Sequence, residues 1–304
     1  AREGSLAGLG LTVIRGGGDY AVVGVTFSGG PADRGGLVSH DRIHAIDGHA
    51  ALGADGEPDV HRLRGQPGTT AALIVSTPGH PEREASLIRE QVDAAAGCMK
   101  GRILEDTGGH RIGYILFATM AVPGAADLVR AEFSRLSAQG PLDGLVLDLR
   151  INGGGDLAVL SSSLGMFMEG TYGKDKAQNS RHRTRYRTTG TGLGNSREVP
   201  MVVLVHEATS SAAELMAGAL GSTGRARLVG QRTGGDTARS SGFSLPGGGL
   251  VSVGVAMFLL PDGSDPGWYG HGIEPDWPVT GSGWDEINDA RDPGLKKAVD
   301  LLLD

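Results

Sequence analysis

The chain has one cysteine, Cys98, in 304 residues, so no internal disulfide is available and the fold must rest on burial and hydrogen bonding. Inert packing is the expected role of that thiol. Aromatic residues are also scarce, at 5%, which leaves aliphatic side chains to build the core. No apolar run reaches the roughly 18 to 20 residues that cross a bilayer, so the chain is not expected to span a membrane. The opening Ala1-Arg2-Glu3-Gly4-Ser5 carries no apolar segment of the secretion-signal type, although a trimmed chain would look the same. Basic charge is in deficit: 28 Lys and Arg face 35 Asp and Glu, a formal −7 that argues against nucleic acid as the main partner. The nine histidines form no H-E-x-x-H motif, and His182 and His206 are only weak singles. There is no P-loop and no strand-following G-x-G-x-x-G. Neither a metal nor a cofactor is expected.

Glycine is abundant instead, with 52 residues in turn-like settings such as Gly16-Gly17-Gly18, Gly153-Gly154-Gly155 and Gly247-Gly248-Gly249. These are places where backbone turns sharply or approaches a ligand closely. The length suits two units, each with its own core. In the first, residues 1–92, Gly8-Leu9-Gly10-Leu11-Thr12-Val13 opens a strand and Tyr20 to Val25 reads as a second. Gly30 to Leu37 is a short glycine-terminated helix, Asp41 to Gly48 a strand closed by Asp-Gly, and Ala71 to Ser76 another strand. In the second, residues 93–304, strands alternate with helices: Arg111 to Phe117, an amphipathic helix Ala125 to Ser137, Gly144 to Arg150, a helix Leu157 to Met168, and Val202 onward. That alternation predicts a parallel sheet covered on both faces, with function at the carboxyl ends of its strands.

The stretch from Val202 to Leu220 carries the sharpest chemical signal. A β-branched apolar run, a polar turn and a small-residue helix place Ser211 at a helix N-terminus, where unpaired N–H groups and the dipole favour developing negative charge. The same residues, Ser211-Ala212-Ala213-Glu214, also read as a capping box with no chemistry. The basic island Arg181 to Arg187 alternates at strand spacing and reads as a solvated strand or loop.

Read in order, "GLGL", "SGGPADRGGL", "HDRIHAIDG" and "LRGQPGT" resemble a PDZ domain. The later "RIGYILF", "GLVLDLRINGGG", "VVLVHEATSSAAELMAGAL", "RLVGQRTGGDT" and "GHGIEPDWPV" resemble the core of the C-terminal processing peptidases. The resemblance covers nearly the whole chain. It implies an α/β fold, a PDZ-like β-rich domain followed by a serine-peptidase core of crotonase-like type. It implies Ser211 as nucleophile, with oxyanion donors from the glycine turn, Gly154 or Gly155, and from the N–H of Ala212. It further implies that Gly8, Leu9 and Gly10 receive the carboxylate of a peptide or protein C-terminus through backbone N–H groups. An exported location is suggested, with a cytoplasmic one left open.

The match fails at the general base. The family's lysine position falls on Asp236 and its glutamine position on Ser240, while the histidine used by the tricorn-like branch falls on Leu116. An ordinary aspartate is a weak base toward a serine hydroxyl, so the usual serine-lysine dyad is excluded. Three readings remain. A relocated histidine, His206 first and His271 second, acts as base with Asp236 orienting it. Alternatively the scaffold binds peptide without cutting. In the third, the site serves a small acyl substrate through ester, lactone or cyclisation chemistry, with Asp236 as the acid or base. Lys174 and Lys176, in an expected loop from Gly170 to Gln178, are further candidates for the base.

Overall fold

The computed structural model describes residues 5–104, 107–177, 184–246, 249–287 and 291–304. Its centre is a six-stranded sheet in the order Trp277–Pro278, Arg227–Gly230, Met201–Val205, Gly144–Asp148, Ile112–Phe117, Met99–Ile103. All pairs are parallel except the last, where Met99–Ile103 runs antiparallel at the edge. Strand side chains alternate between faces, and this sheet obeys the rule in its packing. Ile115, Phe117, Leu145, Leu147, Met201, Val203 and Val205 enter one core, with helices Ala125–Ser137, Leu157–Phe167 and Ala212–Ser222. Ile112, Tyr114, Leu116, Val146, Val202 and Leu204 enter the opposite one, under the C-terminal helix Pro293–Leu303. Both faces are covered, which is why these strands read as continuous apolar runs. Among the described residues no helix is long and apolar enough to cross a membrane.

The N-terminal third forms an antiparallel sheet in the order Leu11–Arg15, Ala21–Thr26, Arg42–Ile46, Thr70–Ser76, Arg83–Ile88, with Ser5–Gly8 paired separately to Glu90–Asp93. It is PDZ-like and docks on the central sheet. Val22 and Val25 lie in the same core as Tyr114 and Leu116, and Trp284 Nε1 donates to Val23 O at 3.0 Å. Between the two lies a cavity of about 740 Å³, lined in part by His40, Tyr114, Leu116 and Trp284. Leu116 faces this space. Cys98 is fully buried, and desolvation pushes its thiol up to about 11, which fits the inert role.

A third sheet, in the order Arg185–Arg187, Thr171–Ala177, Leu250–Leu259, Arg239–Ser244, is antiparallel throughout. This corrects the expected loop around Lys174 and Lys176, which belong to the strand Thr171–Ala177 and are tied to Leu259 and Met257 in its ladder. Of the basic island, Arg185 to Arg187 form an edge strand with both arginines outward, and residues 181–183, His182 included, lie outside the described residues. Gly247 and Gly248 do too.

Candidate active site

Three neighbouring parallel strands deliver the site. Gly144–Asp148 leads to the glycine turn, Met201–Val205 to Ser211, and Arg227–Gly230 to the turn that carries Asp236. Buried polar side chains lock these exits together. Asn152, fully buried, donates from Nδ2 to Phe117 O at 2.7 Å and accepts from Gly154 N–H at 2.9 Å, while its carbonyl accepts from Ser210 N–H at 3.0 Å. Thr209 Oγ1 donates to Leu149 O at 2.8 Å and accepts from His206 N–H at 3.0 Å.

Ser211 sits at φ 55°, ψ −125°, one of three non-glycine residues with positive φ among those described. A capping residue is ordinarily extended, and the helix itself begins one residue later, at Ala212. Such a conformation costs about 1–3 kcal/mol and persists only where its surroundings over-determine it. They do so here. A Cβ on Gly154 would stand 2.8 Å from Ala212 N, Ser210 O and Ser211 Cβ, so glycine lets the two turns close on each other. The Gly154 N–H is committed to Asn152. Gly155, at φ 143°, lines the cleft beside Ser211 and Ala212, and Ala212 N–H belongs to the first helical turn, which has no intrahelical acceptor.

Glu214 supplies the other half of the lock. It is fully buried. Its Oε2 accepts from Ser211 N–H at 3.0 Å and Asp236 N–H at 2.8 Å, and its Oε1 from Thr233 Oγ1 at 2.5 Å and Gly235 N–H at 2.7 Å. Desolvation raises its pKa, and the four donors act against that rise. Because the Ser211 and Asp236 nitrogens share one oxygen, they are no farther apart than those two bonds laid end to end. The Asp236 side chain itself is exposed.

The cleft holds about 210 Å³ and is walled by Leu157, Leu215, Met257, Phe258 and Tyr186, with Thr237, Ala238, Arg239 and Ser240 along its border. Tyr186 and Phe258 belong to a row of stacked rings running from Tyr172 to Trp268, with centroids 5.7 to 6.2 Å apart. Burial, reinforced by Asp175, pushes the Tyr186 phenol up to about 12 and keeps it neutral. Arg239 is paired with buried Asp175 at 3.2 Å. Among the described residues no histidine, lysine or carboxylate lines this cleft.

The sequence model of peptidase family S41 matches residues 111–279, more than half of the chain. The chain belongs to peptidase family S41. A carboxyl-terminal-processing protease of Picosynechococcus is 31% identical over 304 residues, covering 99% of this chain and 71% of that protein. The carboxy-terminal processing protease CtpB of Bacillus subtilis is 27% identical and covers 90% of this chain and 55% of its own length. Among solved structures, the photosystem II D1 C-terminal processing protease superposes with a TM-score of 0.62 at 27% identity, over 100% of this chain and 78% of that one. A putative S41 protease from Bacteroides fragilis reaches 0.70 over 99% of this chain and 84% of its own, at an identity of 18% that speaks for the fold alone.

Within this S41 fold, the sequence-selected residues separate into two groups. Ser211, Ala212, Gly154, Gly155 and Asp236 come together. His206 is buried: its Nδ1 accepts from Ala208 N–H at 3.3 Å, and desolvation, the first cause, lowers its pKa. The charges that act on its ring are Glu207, Arg150, Asp285 and Glu286, none of which lines the cleft. His271 is exposed, on a loop whose Gly270 N–H donates to Gly235 O at 2.8 Å, so the loop's backbone abuts the Asp236 turn. Lys174 acts on Asp262, and Lys176 is exposed. Gly8, Leu9 and Gly10 are buried: Gly8 bridges to Arg64, Leu9 O accepts from Ala32 N–H, and Gly10 O accepts from Phe27 N–H. Asn152, Thr209 and Thr233 were not selected from sequence. The only signal was their position, in "RINGGG" and in the two turns either side of Glu214.

Proposed function

We propose that this S41 member is a serine-type hydrolase of polypeptide C-termini whose nucleophile is Ser211 and whose proton acceptor is Asp236. One observation carries the reading: a serine held at φ 55°, ψ −125° on a helix N-terminus, with a glycine turn closed against it and a cleft opening beside it. A capping serine has no need of that strain. In the proposed step Ser211 Oγ attacks the substrate carbonyl carbon while its proton passes to the Asp236 carboxylate. The oxyanion is met by the N–H groups of Gly155 and Ala212, each such donor being worth roughly 3 kcal/mol in the transition state. The carbonyl re-forms as the C–N bond breaks, and the proton returns to the leaving amine. Water then cleaves the acyl-serine ester by the same route. An aspartate in place of a desolvated amine makes this a slow enzyme.

Residues 93–304 would form the hydrolytic core and residues 1–92 the unit that receives a free carboxyl terminus at Gly8-Leu9-Gly10. Equal affinity for the acid and amide forms of a bound peptide would remove that second role.

A competing reading, peptide binding without turnover, draws on the absence of histidine, lysine and carboxylate from the described cleft wall. A fluorophosphonate probe separates the two. Hydrolysis requires Ser211 to label, Ser211→Ala to abolish labelling, and Asp236→Asn to slow it by at least tenfold. Wild-type protein that binds peptide but neither labels nor cleaves would establish the binding reading. Labelling that Asp236→Asn leaves unchanged would remove Asp236 from the chemistry.

A further inference from the structure

The cleft at Ser211 is continuous with an apolar face that reaches well beyond it. The ribbon of Arg239–Ser244 and Leu250–Leu259 starts at the cleft, where Arg239, Ser240, Met257 and Phe258 form part of the wall, and continues into exposed positions beyond it. Because side chains alternate along a strand, Val253 and Val251 fall on one face, and the irregularity between Gly254 and Ala256 carries that face on through Arg239 and Ala256 to Phe258 in the cleft wall. Phe243 is registered opposite Val251 and Ser241 opposite Val253, which adds them to that face. Phe243, Leu245, Val251 and Val253 are 51%, 48%, 39% and 45% exposed. From Ser240 to Gly254 the sequence has no charged residue. Exposed apolar clusters of this kind mark interaction sites.

The ribbon also has an open edge. Among the described residues Arg239–Ser244 is the last strand of its sheet and pairs only with Leu250–Leu259, so its outer N–H and C=O groups are a template for another strand. Edge strands are commonly protected by charge or proline, and the stretch from Ser240 to Ser244 has neither.

We propose that this ribbon is the docking track for the polypeptide to be cut. An extended, uncharged segment with apolar side chains at alternate positions adds as a fifth strand along Arg239–Ser244. Those side chains lie against Phe243, Val251 and Val253, and the chain beyond them enters the cleft at Ser211. Continuity of the face with Phe258 and Arg239 in the cleft wall favours a substrate strand over a second copy of this chain, which would leave the cleft unused. The proposal rests on Ser211 marking the working cleft.

The test uses the full chain carrying Ser211→Ala, so that cleavage does not intervene, and a fluorescein-labelled decapeptide alternating Val and Ser, followed by fluorescence anisotropy. Phe243→Ser with Val253→Thr should weaken binding by about tenfold, as expected for losing contact with one to two large apolar side chains. In the chain with Ser211 intact, the same pair should leave the rate of fluorophosphonate labelling unchanged. N-methylation of alternate peptide amides should abolish binding in one phase and be tolerated in the other, since only one set of amides faces the edge. Unchanged affinity in the double variant, or equal tolerance of both methylation phases, overturns the proposal. So does a wild-type dimer, seen by sedimentation, that the double variant dissolves without altering peptide affinity. If Ser211 never labels yet the double variant still loses the peptide, the hydrolytic reading fails and the track stands.

Discussion

At Ser211 the backbone conformation can be probed apart from the hydroxyl. Glycine reaches φ 55° without the penalty that a Cβ brings, whereas alanine retains it. Ser211→Gly should therefore be more stable than Ser211→Ala by about 1 kcal/mol in urea unfolding, although both lack the nucleophile. Equal stabilities would mean that the turn relaxes when the hydroxyl is removed, and the strain argument would fall. Glu214 is the residue on which the site's geometry depends most. Glu214→Gln keeps the shape but turns one acceptor oxygen into a donor facing N–H or O–H groups, which should cost about 1–3 kcal/mol. Labelling of Ser211 should slow in the same variant. A stable Glu214→Gln protein with normal labelling would show that the four bonds are dispensable.

Among the elements, the glycine turn and the nucleophile helix are fitted through backbone contact, so side-chain rearrangement cannot relieve a clash there. A Cβ on Gly155 would lie 2.2 Å from the carbonyl carbon of Met120, at a φ that L-residues rarely adopt. Gly155→Ala should cost at least about 2 kcal/mol and displace the proposed oxyanion donor, lowering labelling with the loss of stability. At Gly218, on the same helix as Ala212, the corresponding atom would meet the Trp268 ring at 2.2 Å. The obstacle there is a side chain at the end of the aromatic row, so Gly218→Ala should shift tryptophan fluorescence. Its effect on stability should be smaller than that of Gly155→Ala, and the order of the two is the check.

Across the whole molecule, one buried ion cluster joins the central sheet to the C-terminal helix. Arg150, 1% exposed, meets Asp148 at 2.6 Å and Asp292, the N-cap of Pro293–Leu303, at 2.7 Å, while Tyr114 donates to Asp148 at 2.8 Å. Arg150→Met strands two carboxylates in the interior and should destabilise by about 3–5 kcal/mol. Melting at neutral pH tests this, and a shift of a degree or less would refute it. His206 adds a pH dependence of known sign. Burial holds its folded pKa below the ordinary value near 6.5, so the unfolded chain takes up the proton first as pH falls. Its contribution is present above pH 6.5 and is lost as pH falls from there through the lower folded value. His206→Gln should flatten the dependence of Tm on pH in that interval, and a curve parallel to wild type would exclude the effect.

Local patterning settled much of this protein before any contact was known. The helix Ala125–Ser137 has the limits its apolar spacing implies, and the continuous apolar runs around Val146 and Val203 specify strands buried on both faces. The resemblance of the motifs pointed to one peptidase family, and the S41 match and the relatives agree with it. These features are local because side-chain period, turn chemistry and capping act over a few residues. What tertiary structure alone decided is who meets whom. His206 is five residues from Ser211 in sequence, yet its ring feels Arg150 and Asp285 and does not line the cleft. Lys174 sits in a strand ladder instead of a loop, and Glu214 gathers donors from a turn 19 to 22 residues away. Distances of that kind depend on which strands are neighbours and on which backbones can touch. That is fixed by the packing of the whole sheet, and no short stretch of sequence encodes it.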